Sequence, residues 1–223
     1  MSKLTVDPEL TPVETIAGEA ALPKERLVAE WLRLRFANPP SWTPERTEEH
    51  LMGMHSTEMT PAAVLLPIVM RTNEPTLLLT QRTAHLTDHG GQISLPGGRV
   101  ETSDASIIET ALREAEEEIG LVRSKVEVLG SLPDYFTVTG YRVTPVVSIV
   151  HPPFDLKADP FEVAEIFEVP LSFLMNGKNH QRRVAELVNG VGRRHFYAMP
   201  YERFFIWGAT AGMLRNLFHF LRA

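Results

Sequence analysis

Leu95-Pro96-Gly97-Gly98-Arg99-Val100-Glu101-Thr102-Ser103-Asp104, continued by Ala105 to Leu121, is the stretch that decides the fold. Ser103 or Asp104 can cap a helix, and Gly120 followed by the apolar Leu121 is a helix stop, so the spacing predicts a helix from about Asp104 to Ile119. At about 100° per residue, Ile108, Ala111, Leu112, Ala115 and Ile119 fall within one arc of roughly 100°, the stripe expected to be buried. Glu114, Glu117 and Glu118 share a second arc beside it, and Glu109 and Glu116 land on the far flank near the apolar edge. Carboxylates three and four residues apart stand about 5 to 6 Å from one another and destabilise a bare helix. A divalent cation between them reverses that balance, and hard oxygen donors suit Mg²⁺ or Mn²⁺ rather than zinc or copper. Just upstream, Gly97-Gly98 lets backbone N–H groups approach a ligand such as a phosphate closely. A Glu-rich helix face alone is ordinarily a solvated surface. The argument for chemistry is the combination of Pro-Gly-Gly, an acidic linker, an Arg-Glu pair, a second Glu pair and a terminal Gly at fixed offsets.

The rest of the chain sets limits around this segment. Its 223 residues are 43% hydrophobic and 22% charged, as in an ordinary globular protein of one large domain or one domain with extensions. The net charge of −6 gives no global attraction to a phosphate backbone, so no nucleic-acid partner is expected. The absence of cysteine excludes a disulfide scaffold, a zinc-thiolate site and a thiol nucleophile together. Asp7, Glu9, Glu14, Glu19 and Glu25 do not suit a secretory signal, and the apolar runs fall far short of a bilayer span, so a cytoplasmic protein without membrane partners is expected.

Polar residues 1–20 read as a loosely ordered arm. Leu27, Trp31 and Leu34, with Val28 and Leu32 beside them, predict an amphipathic helix over 24–36, stopped by Asn38-Pro39-Pro40-Ser41. Residues 41–60 read as a connector with room for one more short helix. Apolar β-rich runs follow at Ala63 to Met70, Thr76 to Gln81, Val126 to Leu129 and Val143 to Val150, the first two forming an antiparallel pair across a turn-type cluster. Arg183 to Val188 and His195 to Met199 flank Asn189-Gly190-Val191-Gly192 as a hairpin, and a helix from about Gly208 to Leu221 closes the chain with Met213, Leu214, Leu217, Phe218 and Leu221 on its apolar face. This order predicts an α+β sandwich with helices packed on a mixed sheet.

At these residues the chain resembles the Nudix hydrolases, whose signature reads Gly-x5-Glu-x7-Arg-Glu-U-x-Glu-Glu-x-Gly-U with U aliphatic. Arg113-Glu114-Ala115-Glu116-Glu117-Glu118-Ile119-Gly120-Leu121 fits the second half residue for residue. The first half departs from it: Gly98-x5 leads to Asp104 rather than Glu, and eight residues rather than seven separate it from Arg113. Leu78-Leu79-Thr80-Gln81-Arg82, Leu86, His89, Gly91-Gln92-Ile93 and Leu95-Pro96-Gly97-Gly98 are similar to a second block found in the coenzyme A pyrophosphatase branch, with Leu95 where Phe is usual. The resemblance runs from about Ala63 through Tyr135 to Tyr141 and Glu168 to Leu171 as far as Gly212, roughly two thirds of the chain.

The resemblance implies a Nudix-type α/β/α sandwich with mixed sheet over 61–223, preceded by an N-terminal helical extension over 1–60. It implies hydrolysis of a small-molecule, coenzyme A-like nucleotide at its diphosphate, with Mg²⁺ or Mn²⁺ as cofactor. Glu114, Glu117 and Glu118 would hold the metal, with Glu162 from a later loop as a fourth acid and Glu165 as its competitor. Glu114 is the first candidate for general base, Arg113 would orient an acid or the glycine loop, and Arg82, His89, Gly97 and Gly98 would meet the substrate. Phe204-Phe205-Ile206-Trp207 would line a pantetheine channel or be a buried strand. A homodimer is compatible with the family. The alternatives are the same chemistry on ADP-ribose or a dinucleotide, and a nucleotide-sensing binder, against which three intact acids argue.

Overall fold

The computed structural model describes residues 7–46, 59–86, 89–186 and 193–223. Its centre is a mixed sheet in which β2 (Thr60–Val69) lies parallel to β8 (Tyr141–Val150) over ten residue pairs, from Thr60 opposite Tyr141 to Val69 opposite Val150. From Ala62 in β2 and from Pro145 in β8 the strands are apolar apart from the buried Ser148, as strands covered on both faces must be. On one side β2 is followed by β3 (Thr76–Arg82), paired antiparallel through Ile68–Leu77 and Val69–Thr76. β3 in turn pairs with β4 (Ile93–Ser94) and with β9 (Val163–Pro170). On the other side β8 pairs with β6 (Val126–Ser131) and β7 (Tyr135–Phe136), and β5 (Gly97–Arg99) pairs with the start of β2.

Side-chain alternation on β2 sends Leu65 and Val69 to one face and Leu66 and Ile68 to the other. Against the first packs α2 (Ile107–Ile119) through Ala111, Ala115 and Ile119; against the second pack α1 (Ala29–Ala37) through Leu32 and α4 (Gly208–Arg222) through Leu214, Leu217, Phe218 and Leu221. The short α3 (Leu171–Leu174) follows β9 directly. This is the expected α+β sandwich on a mixed sheet, with the predicted N-terminal helix. Among the described residues no helix is long and apolar enough to cross a membrane.

Several expectations change. Residues 7–20 are not a loose arm: β1 (Val13–Ile16) pairs antiparallel with β10 (Gln181–Glu186), which continues into β11 (Arg193–Tyr201) and β12 (Phe204–Trp207) as a second, four-stranded sheet. The hairpin predicted around residue 190 is therefore part of a larger sheet; its turn, with Leu187 and Val188, lies outside the described residues. So do residues 47–58, where the connector was expected, and residues 1–6 of the arm. Helix α1 starts at Ala29 after a 3₁₀ turn at Lys24–Arg26, and it buries Leu32 while Val28 and Leu34 stay exposed. Phe204–Trp207 is a strand, alternately buried, with Phe204 stacked on Phe167.

Candidate active site

Helix α2 begins at Ile107, not Asp104, and its N-cap is Ser106, whose hydroxyl accepts from the Glu109 N–H at 3.2 Å. Asp104 has another task. Its two carboxylate oxygens receive the Arg113 guanidinium at 2.8 and 2.9 Å, and it also accepts from the Glu101 N–H and the buried Thr110 hydroxyl. The extra residue in the spacer thus leaves Asp104 able to reach Arg113 despite its short side chain. Those bonds, the Arg113 pair first, hold the Asp104 carboxyl well below the usual carboxylate range. The helix ends as expected: Gly120 adopts φ +68°, and the N–H groups of Gly120 and Leu121 donate to Glu116 and Ala115 carbonyls.

Arg113 radiates from this anchor. Besides Asp104 it donates to Glu114 at 3.0 Å, to Glu117 at 2.9 Å and to the Arg99 carbonyl at 3.1 Å. These bonds tie the segment after the glycine pair to the acidic face of the helix. Glu114 lies against Gly98 so closely that a Cβ there would stand 2.5 Å from Oε1. Burial first, then the negative charges of Glu117 and Glu162, raise the Glu114 carboxyl, against the pull of Arg113.

Glu118 is buried on the sheet side of the same face. Its Oε2 accepts the Gly97 N–H at 3.1 Å, and Oε1 lies 3.8 Å from the Arg82 guanidinium, which is re-aimed by a bulge between Gln81 and Arg82. Gly97 therefore serves a protein carboxylate, where the sequence suggested a phosphate. Burial, reinforced by Glu162 and Glu114, pushes Glu118 up to about 8. The sign of the consequence follows by linkage. Between pH 4.5 and about 8 the folded state binds more protons at Glu118 than the unfolded state does, so stability falls as pH rises through that window. With metal chelated, Glu118→Gln is expected to flatten the loss of unfolding free energy between pH 5 and pH 8, by at most about 1.4 kcal/mol per pH unit, read by denaturant unfolding. Identical pH profiles for variant and wild type would contradict it.

Glu162 joins Glu114 and Glu118 electrostatically and not by sequence proximity. Its loop is pinned: the Thr83 N–H donates to its carbonyl at 2.9 Å, and the Asp159 N–H donates to the Glu118 carbonyl at 2.8 Å. Its competitor Glu165 is drawn away into an ion pair with Arg203. Glu117 does not converge with its neighbours but reaches Arg113 from an exposed position, and among the described residues no three acidic or histidine side chains stand together as a ready cation cage. His89 is exposed, with its Nδ1 2.9 Å from Gln92 Oε1. Glu116 is exposed and Glu109 half-buried on their flank, both paired with Arg123.

Thr110, Thr83, Asp159 and the Arg99 carbonyl escaped sequence reasoning. Thr110 carries the one detectable signal, a hydroxyl beside the apolar stripe. Gly98→Ala tests the geometry: the methyl must displace Glu114, so turnover is expected to fall about 100-fold with the fold retained, read by kcat and circular dichroism. Unchanged turnover would mean that the position of Glu114 is immaterial.

The NUDIX domain model matches residues 59–185. The "Uncharacterized Nudix hydrolase NudL" of Escherichia coli O1:K1 / APEC is 48% identical over 157 residues, covering 70% of this chain and 80% of that protein. An Ap4A hydrolase of C. elegans superposes with a TM-score of 0.43 at 20% identity, over 49% of this chain and 80% of that one. The NUDIX domain of Shewanella oneidensis NrtR, solved with ADP ribose, gives 0.41 at 20% identity over 62% and 82%.

Proposed function

The chain belongs to the NUDIX family, and from that premise we propose that it is a divalent-metal-dependent hydrolase cutting the diphosphate of coenzyme A, or of an acyl or oxidised form, into 3′,5′-ADP and 4′-phosphopantetheine. The observation that carries the reading is an arrangement in which Glu114 lies against Gly98, Glu118 accepts from the Gly97 N–H with Arg82 3.8 Å away, and the charge of Glu162 acts on both carboxyls. Its acids disfavour one another's charge, which is the condition a dication relieves.

The residues fit such an ion. Every donor is a carboxylate oxygen, the class Mg²⁺ and Mn²⁺ prefer, and Glu118 is a buried carboxylate with one N–H donor and an arginine at 3.8 Å. Glu114, Glu117, Glu118 and Glu162 would hold it, Glu117 turning from Arg113. When bound, the metal would neutralise diphosphate oxygens and lower the pKa of a water. The chain's own groups do the rest. Arg113, fixed by Asp104, holds Glu114 against Gly98; Glu114, its basicity raised by burial, accepts the proton of the attacking water; and Arg82 offers a cation to the anionic substrate.

The block from Leu78 to Gly98 supports coenzyme A over other nucleotides, and a cytoplasmic enzyme is in keeping with a cysteine-free chain. The competing reading is the same chemistry on ADP-ribose or a dinucleotide. A substrate panel with Mn²⁺ and with Mg²⁺, followed by identification of the phosphorus-containing products, tests both. Preference for the 3′-phosphorylated substrate is the expected result, and equal cleavage of its dephosphorylated form would sink the coenzyme A assignment.

A further inference from the structure

Phe161 is the one Phe, Tyr or Trp among the described residues that is exposed, at 64%. Exposed rings usually sit on loose loops, but this backbone is held from both sides. The Phe161 carbonyl accepts the Thr83 hydroxyl at 2.7 Å and its N–H donates to Asp159 Oδ1 at 2.8 Å, while the Val163 N–H donates to the Asp159 carbonyl at 2.8 Å. Through Thr83 the loop is tied to the residue after Arg82, and through Asp159 to the Glu118 carbonyl. A large apolar ring is thus presented to water by a rigid frame, directly before Glu162. The His85 imidazole braces it edge-on, with centroids 5.0 Å apart and planes at 60°.

A flat apolar face one residue before Glu162, on a loop bonded to Thr83 beside Arg82 in the chain, matches a ligand that is planar and aromatic at one end and anionic at the other. We propose that Phe161, braced by His85, is a stacking platform for the nucleobase of the substrate. The inference rests on the reading that a nucleoside diphosphate binds beside Glu114, Glu118 and Glu162. Stacking is tolerant of base identity, because every base offers a π-face. The platform therefore supplies affinity, and the choice among adenine-containing substrates falls to other contacts.

The test is calorimetric binding of two probes, ADP and inorganic pyrophosphate, each with Mn²⁺, to wild type, Phe161→Ala and Phe161→Trp. Because the ring is exposed, its removal leaves the core untouched. Phe161→Ala is expected to bind ADP on the order of ten-fold more weakly with pyrophosphate unchanged, and Phe161→Trp to restore ADP affinity. Unchanged ADP binding in Phe161→Ala, or equal losses for both probes, would overturn the platform and leave the hydrolase reading standing. Failure of wild type to bind either probe would remove the hydrolase reading, and the platform with it.

Discussion

Glu114→Gln is expected to lower kcat by about 10²- to 10⁴-fold with the fold retained. The substitution keeps the shape of the side chain, so Arg113 can still donate to the remaining amide oxygen at the place where Oε1 now accepts at 3.0 Å, and Gly98 still closes over it. What is lost is a proton acceptor and a negative charge for a cation. Stability should not fall, because burial and the charges of Glu117 and Glu162 already disfavour the carboxylate form. A kcat loss together with an unchanged or raised melting temperature separates this account from one in which Glu114 merely props the helix. A variant with near-normal turnover would exclude Glu114 as the base.

Arg215→Ala is expected to cost about 3 kcal/mol of stability, measured by denaturant unfolding. Arg215 is almost fully buried on α4. It donates to both Glu19 oxygens at 2.6 and 3.0 Å and to Glu45 at 2.8 Å, lies 3.1 Å from His180 Nδ1, and covers the rings of Tyr197 and Phe218. Arg215 holds Glu19 down to about 2; burial alone would raise Glu45, but His219, Tyr197 and Arg215 together hold it down to about 2. Depressed carboxyls stabilise the fold fully above the unfolded value of 4.5, and that contribution disappears as pH falls toward 2. Burial depresses His180 to about 4, so its contribution is also lost on acidification, between 6.5 and 4. Removing Arg215 strands two carboxylates that hold the N-terminal segment to the last helix. The variant should therefore lose most stability near neutral pH and approach wild type below pH 3. A loss under 1 kcal/mol at pH 7 would contradict the network.

The parts of the molecule that were legible in the sequence are those encoded by local spacing. The α2 stripe, the Gly120 stop and the apolar runs of β2 and β8 need only neighbours within one turn or one strand. Asp104 and Ser106 show where that logic ends. Ser103, Asp104 and Ser106 all make acceptable caps, and only the pull of Arg113, nine residues on, takes Asp104 out of the competition. Strand β1 carried no alternation to detect, since all four residues are exposed and its place is set by pairing with residues of β10 some 170 positions later. The Arg215 network likewise joins residues 170 to 196 positions apart. In the site, spacing put three glutamates on one face, but burial divides them: Glu114 and Glu118 turn inward to the glycines, and Glu117 outward to Arg113. Glu162 entered through the family pattern, and its nearness to Glu114 and Glu118 depends on how Thr83 and Asp159 pin its loop.

The claim on which the rest depends is that the inward face of α2 holds a divalent cation. Calorimetric titration of Mn²⁺ into wild type, Glu114→Gln and Glu118→Gln at pH 7.5, without substrate, addresses it independently of turnover. The account predicts saturable binding by wild type and affinity lower by about ten-fold or more in each variant. Equal Mn²⁺ affinity in all three proteins would contradict it.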